Sequence, residues 1–331
     1  MRLVERGFLV AGLLLFVGLV YEIGPLVVFH NLRVVGWGIV LIVSQEALAF
    51  VCNTLGWWYA FPAPGPPIGF VQLLAARISG DAINYVTPTA TLGGEFVRVR
   101  LLRDRVDTTT VVASVTIAKL SQTVGQVAFI VFGLMVILEE TPLPPPLRRG
   151  LFTGVSVMAA LAVALLVAQR RGLFAPLLRV LHAVGLPRYA AGLGGRLERL
   201  DDEIAAFHVA ESWGFLRSVA AFFAGWALGV VEAYLILYFL GIPVTVERAL
   251  AIEVFSITID AMLFFVPGKV GTQEGGKVLI FTMLGLSAAK GLSFGILRRI
   301  RELVWAGVGL LILSRLQAEL RPVADPATIQ G

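Results

Sequence analysis

The sequence has one cysteine, Cys52, and three histidines, His30, His182 and His208, in 331 residues. One thiol excludes an internal disulfide and any cysteine metal cluster, and the histidines never fall at metal-ligand spacing. Charge is scarce too. Asp, Glu, Lys and Arg make up 15% of the chain, against about 25% in a soluble globular protein. With 57% apolar residues and a mean hydropathy of +0.85, too little polar material remains to cover a water-facing surface. The chain reads as an integral membrane protein with no room for a large soluble catalytic domain. A complete G-x-x-x-x-G-K-[ST] loop is missing as well, Val278 following Lys277 where the one partial match would need Ser or Thr, so ATP is not the direct energy source. The 27 basic against 22 acidic residues, a net +5, match the positive-inside bias of cytoplasmic loops and not nucleic-acid binding.

What is abundant is apolar helix. A span needs about 20 apolar residues, and that ruler finds Gly7 to Phe29, Val34 to Ala60, Thr110 to Leu138, Leu151 to Ala168, Val219 to Leu240, Ala249 to Val266 and Ser293 to Leu313. The first starts after basic residues but has no small-residue cleavage site, so it reads as an uncleaved helix. Two more segments, Ile68 to Leu92 and Val270 to Lys290, are apolar but interrupted by proline, glycine and charge. Freed backbone survives at membrane depth only inside protein or beside water, so these read as re-entrant or broken helices. The expected fold class is all-α and polytopic, with seven or eight transmembrane helices and two re-entrant or broken segments in two pseudo-repeated halves.

Basic clusters set the expected orientation. Arg98, Arg100, Arg103 and Arg105, and the longer stretch from Arg170 to Arg217, belong on the cytoplasmic side. In that stretch Leu193, Leu197, Leu200 and Ile204 recur at helical spacing, as in an amphipathic interfacial helix; an ordinary solvated connector fits equally. The expected organisation is one transmembrane domain over residues 1–316, with halves near 34–138 and 219–316, a connector near 170–217 and a disordered tail at 317–331. Both termini are expected on the cytoplasmic side of the inner membrane.

One pattern occurs twice. Asp81-Ala82, Pro88, Glu95 and Arg98 are echoed by Asp260-Ala261, Pro267, Glu274 and Lys277, both reading D-A-x5-P-x6-E-x2-basic. Glycines crowd the glutamates: Gly93 and Gly94 in one copy, Gly268, Gly271, Gly275 and Gly276 in the other. Proline ends a helix and glycine permits a sharp turn. A helix restarting beyond the break directs free N–H groups and partial positive charge inward, which is an anion site. Lipid phosphate is the expected occupant, with Arg98 or Lys277 adding charge from the membrane edge. Broken helices at matching places in two halves point to a transporter's central site. Kinked helices with snorkelling basic residues are the plainer reading of one copy alone.

Charges also lie within the apolar runs: Glu22, Glu46, Glu232, Glu253, Asp260 and Lys119. A central ionised group costs about 3 kcal/mol on insertion scales, so several of them imply an interior that is paired or wet. Thr116, Lys119, Thr123 and Gln126 share one helical stripe; Glu46 shares a face with Asn53, and Glu253 with Asp260. They form either a hydrophilic groove or structural pairs between helices. The last span carries Arg298, Arg299 and Arg301 before Glu302. These arginines either anchor that end at the cytoplasmic surface or turn inward, where Arg298 and Arg301 would bind phosphate.

Asn84-x3-Pro88, Gly94-Glu95 and Arg98, followed by Pro267-Gly268-x2-Gly271-x2-Glu274 and an arginine-bearing last span, resemble the flippase-like family. It includes the transmembrane domain of lysyl-phosphatidylglycerol synthases and many stand-alone proteins. The likeness covers about Gly7 to Ser314, with Lys269 where a third glycine is common. It implies a polytopic fold with re-entrant elements that moves or presents lipids across the cytoplasmic membrane, and stand-alone relatives are associated with hopanoid and glycolipid pathways. It does not imply lysine transfer, because no aminoacyl-transferase domain is matched. The reading is a lipid translocase for an anionic or aminoacylated phospholipid or lipid-linked precursor, not a chemical catalyst. A membrane-embedded lipid transferase, with Asp81 and Glu95 or Asp201-Asp202-Glu203 as its acids, and a non-catalytic partner of lipid-modifying enzymes are the alternatives. No cofactor or metal is expected; the expected partners are membrane lipid, lipid-modifying enzymes and a second copy of the chain, not nucleic acid.

Overall fold

The computed structural model describes residues 17–18, 20–62, 65–87, 92–140, 145–171, 187–262 and 271–319. Among them the regular structure is helical, and eleven helices are delimited: α1 (Pro25–Val35), α2 (Gly38–Trp58), α3 (Phe70–Val86), α4 (Leu92–Leu102), α5 (Thr108–Glu140), α6 (Pro145–Arg171), α7 (Pro187–Ala210), α8 (Ser212–Phe239), α9 (Val246–Met262), α10 (Thr272–Met283) and α11 (Ala288–Glu319). Proline opens α1, α6 and α7, where its missing N–H costs nothing and its fixed φ suits a first turn.

Three of these helices are long and apolar enough to cross a membrane: α2, residues 108–138 of α5, and α8. Residues 7–16 and 19 of the expected first span lie outside the described residues, and its described part is interrupted where Gly24 takes a φ of +98° and Pro25 starts α1. The interrupted segments resolve into pairs of short helices. The 17 residues of α3 reach about 25 Å, short of a hydrocarbon core of about 30 Å. The chain then turns back into α4, which packs along α3. Helices α9 and α10 repeat that arrangement. The turns themselves, 88–91 and 263–270, lie outside the described residues, and with them Pro88, Pro267 and Gly268.

Helix bounds recur along the chain at a fixed shift. Asp260 follows Asp81 by 179 residues (260 − 81), and the same shift carries α5 onto positions 287–319, where α11 runs from Ala288 to Glu319. It likewise carries α2, α3 and α4 onto α8, α9 and α10 within five residues at each end. Two apolar clusters show how the halves are disposed. One joins Trp57 late in α2, Leu73 early in α3, Leu102 at the end of α4, Val111 early in α5 and Phe222 early in α8. The other joins Ile42 early in α2, Ile137 late in α5, Leu237 late in α8, Ala249 early in α9, Phe281 late in α10 and Phe294 early in α11. Helices α2 and α8 therefore run antiparallel, and the two helical hairpins are rooted at opposite ends of the bundle.

The amphipathic stripe of α7 is real but inward-facing. Leu200, Ile204 and Phe207 are buried in the first cluster, against α5 and the start of α8. Where α5 begins, Asp107 Oδ2 accepts the N–H groups of Thr109 (2.8 Å) and Thr110 (3.2 Å), satisfying donors that have no partner within the helix. Asp107→Ala is expected to lower stability by about 1 kcal/mol, read as an earlier unfolding midpoint in a detergent-solubilised denaturation series.

Candidate functional site

The hairpins place the doubled motif in contact. In the first half, Asp81 on α3 receives Arg98 of α4 at 2.5 Å and Arg77, one turn back, at 3.0 Å. Arg98 also meets Glu95 at 2.5 Å, and Asn84 Oδ1 accepts the Gly94 N–H at 2.6 Å. In the second half, Asp260 on α9 receives Lys277 of α10 at 3.1 Å. The aspartate-to-base pair thus forms twice at equivalent positions. Both cations are deep inside, Arg98 at 4% and Lys277 at 0% exposure, so the expectation that they act from the membrane edge is corrected. Each is held by the aspartate of its own hairpin, because a buried cation is tolerable only when paired.

The start of α10 is also occupied. Gly271, at φ +76°, caps α10, and the Glu274 carboxylate folds back to accept its N–H at 2.8 Å. A side-chain anion therefore already sits at that helix start. Gly93 and Gly94 belong to the first turn of α4, and Gly94 lies directly against α3.

The long helix after each hairpin supplies further cations. Lys119 of α5 meets Glu95 at 3.6 Å with its side chain 48% exposed. At the equivalent position, 179 residues on, Arg298 of α11 is buried between Glu253 and Glu232, the latter at 3.2 Å. Arg301 bridges Glu46 at 2.6 Å and Glu232 at 2.9 Å, and Arg299 meets Glu274 at 2.9 Å and donates to the Tyr85 hydroxyl at 2.9 Å. All three arginines turn inward. A surface anchor is ruled out because α11 begins ten residues earlier, at Ala288, inside the second cluster's end of the bundle.

Lys119, Arg298 and Arg301, with Glu46, Glu232 and Glu253, surround a cavity of about 520 Å³. Lys119, Thr123 and Gln126 of α5, Glu46 and Asn53 of α2, Glu253 and Asp260 of α9, Glu232 of α8, and Arg298, Arg301 and Glu302 of α11 all line it. The helical stripes read from sequence therefore converge on one space, with Thr116 outside the lining. Glu22 is exposed and stands apart from it. The lining carries five carboxylates against three bases, and Glu232 Oε1, fully buried, accepts no hydrogen bond among the described residues. A smaller cavity of about 240 Å³ adjoins it and includes Asp81. Asn84, Glu95, Arg98, Glu274 and Lys277 line neither of these two cavities; they brace the helices that do.

Sequence reasoning passed over Arg77, Gln122, Gln273 and Tyr85. Arg77 had a signal, its i,i+4 spacing to Asp81. Gln273, which donates to Glu302 at 3.0 Å, had none, since that contact joins separate helices.

Residues 6–309 match the family model described as "Lysylphosphatidylglycerol synthase TM region". No curated protein and no solved structure matches the chain.

Proposed function

Because the chain belongs to the lysylphosphatidylglycerol synthase TM-region family, we propose that it is a lipid translocase of the cytoplasmic membrane rather than a chemical catalyst. A phospholipid headgroup passes through the polar cavity while its acyl tails stay in the bilayer. The observation that carries this reading is the charged cavity of about 520 Å³ enclosed by helices from both halves. Such an interior is costly to build in a membrane protein unless something polar passes through it. In this reading the hairpins α3–α4 and α9–α10 are re-entrant and enter from opposite faces. The halves are inverted repeats about a midplane site, with the arginine-rich ends of α4 and α7 and both termini on the cytoplasmic side.

Lys119 is the cavity base held least tightly, and in this reading it meets the lipid phosphate. The test is movement of acyl-labelled phospholipids in vesicles containing the purified full chain. The wild type is expected to move lipid faster than empty vesicles, and Lys119→Gln to slow it roughly tenfold, the loss of one charge-assisted hydrogen bond. Movement no faster than in empty vesicles refutes the reading, as does an undiminished rate in Lys119→Gln.

A further inference from the structure

Followed as networks, the interior ion pairs do not cancel in charge. On α11, Arg298 holds Glu253 and Glu232; Arg301 holds Glu46, Glu232 and, at 3.8 Å, Glu302; Arg299 holds Glu302 and Glu274. Three guanidiniums, which do not give up their protons in proteins, thus face five carboxylates. The first hairpin has the opposite balance, Arg77, Arg98 and Lys119 sharing Asp81 and Glu95. Asp260 with Lys277 is neutral. Lending the spare charge of Lys119 across the larger cavity still leaves one carboxylate uncompensated among the described residues. A phosphate entering that cavity deepens the deficit, and a buried charge without a partner is costly, so positive charge has to come with it.

The deficit gathers at Arg301. Its Nη1 alone donates to both Glu46, at 2.6 Å, and Glu232, at 2.9 Å, and Glu232 Oε1 is left without a donor among the described residues. The other four acids have partners besides Arg301: Arg298 for Glu232 and Glu253, Arg299 and the Gly271 N–H for Glu274, Arg299 and the Gln273 amide for Glu302. Glu46 has Arg301 alone among the described residues. Its side chain is 21% exposed and lines both cavities. Across those cavities it faces Glu232 of α8; Arg298, Arg301 and Glu302 of α11; Arg77, Asp81 and Tyr85 of α3; Lys119 of α5; and Glu253 and Asp260 of α9. Helix α2 itself brings no second ionisable group to either space.

We propose that Glu46 is a proton-binding site, and that the proton it takes up accompanies the anionic lipid through the cavity. The coupling rests on the lipid reading of the larger cavity; the proton site does not. A proton delivered by water adds to a Glu46 carboxylate oxygen and gives a neutral carboxyl, with no other bond made or broken. Arg301 keeps Glu232 and Glu302, and the N–H released from Glu46 is open to an anion in the same cavity. Glu46 belongs to the first half and Arg301 to the second, 255 positions on. The same step therefore unties a contact between the halves, as rocking of inverted repeats requires. Loss of the proton on the far side restores the pair. One proton travels with one anionic lipid, and no net charge crosses.

Two measurements on the full chain separate the site from the coupling. Infrared spectra of the detergent-purified protein, compared between mildly acid and alkaline buffer, are expected to show a deuterium-sensitive carboxyl band in a range where water-exposed carboxylates stay ionised. Glu46→Gln, which copies the protonated side chain in shape and charge, is expected to lack it. In vesicles carrying a trace of acyl-labelled phosphatidylglycerol, a gradient of about one pH unit is expected to gather the label in the leaflet on the alkaline side. The ratio reaches up to about tenfold for one proton per lipid, within a time in which empty vesicles leave the label even. With Glu46→Gln the label stays even. A band undiminished in Glu46→Gln, or no such band in the wild type, overturns the proton site. A wild type that moves label yet leaves it even across the gradient, or accumulation undiminished in Glu46→Gln, overturns the coupling. Vesicles that move no lipid, with the Glu46 band present, instead overturn the translocase reading and leave the proton site standing.

Discussion

Arg298→Met is expected to destabilise the folded chain by about 3–5 kcal/mol, the cost of removing one partner from a buried ion pair. Arg298 is 5% exposed, and it neutralises Glu253, 5% exposed, and shares Glu232, 1% exposed. Glu232 keeps Arg301 at 2.9 Å after the change, but Glu253 keeps no other ion pair among those the structure shows. Its carboxylate lies against Gly229, where an added Cβ would collide with it. Thermal unfolding in detergent reads the loss. The double variant Glu253→Gln/Arg298→Met is expected to recover most of it, since neither charge is then stranded. A single variant as stable as wild type, or a double variant worse than the single, contradicts this account.

The second large effect is expected at Gly94. Its Cα faces the Gly80 carbonyl oxygen so closely that an added Cβ would overlap it, and the same Cβ would stand 2.6 Å from the Asn84 amide. The obstacle is backbone, which cannot rotate away. Gly94→Ala must therefore pry α4 from α3, breaking the 2.6 Å bond from Gly94 N–H to Asn84 and stretching the Asp81–Arg98 pair. Overpacking of this kind costs about 3 kcal/mol. Thermal unfolding and lipid movement are both expected to fall, whereas Gly150→Ala, with open space around it, is expected to change neither. An unperturbed Gly94→Ala protein would mean that the two arms do not touch as described.

Much of this site was legible along the chain. Glu46 with Asn53, Glu253 with Asp260, and Lys119 with Thr123 and Gln126 share faces by helical periodicity alone, and all seven line the same cavity. The doubled motif also falls on both helix pairs, α3 with α4 and α9 with α10. The roles of Arg98 and Lys277 were misjudged for a physical reason. Spacing shows a base three residues after a glutamate, but not that a hairpin brings it back upon an aspartate 17 residues earlier. Along the chain Arg298, Arg299 and Arg301 could equally anchor at a surface or turn inward, and their ion pairs with acids on other helices decide for the inward course.

Composition and local pattern by themselves determined that the chain is helical, lives in a membrane, carries charge into its interior and repeats one motif. Each of these follows from the solvent a segment tolerates or from neighbours within a turn or two. Only the tertiary structure decided which acid meets which base. Arg301 reaches Glu46 across 255 positions, and the hairpins root at opposite ends of the bundle through clusters drawn from many helices. Such pairings depend on the register between packed helices, which packing over the whole bundle sets and no local stretch of sequence encodes.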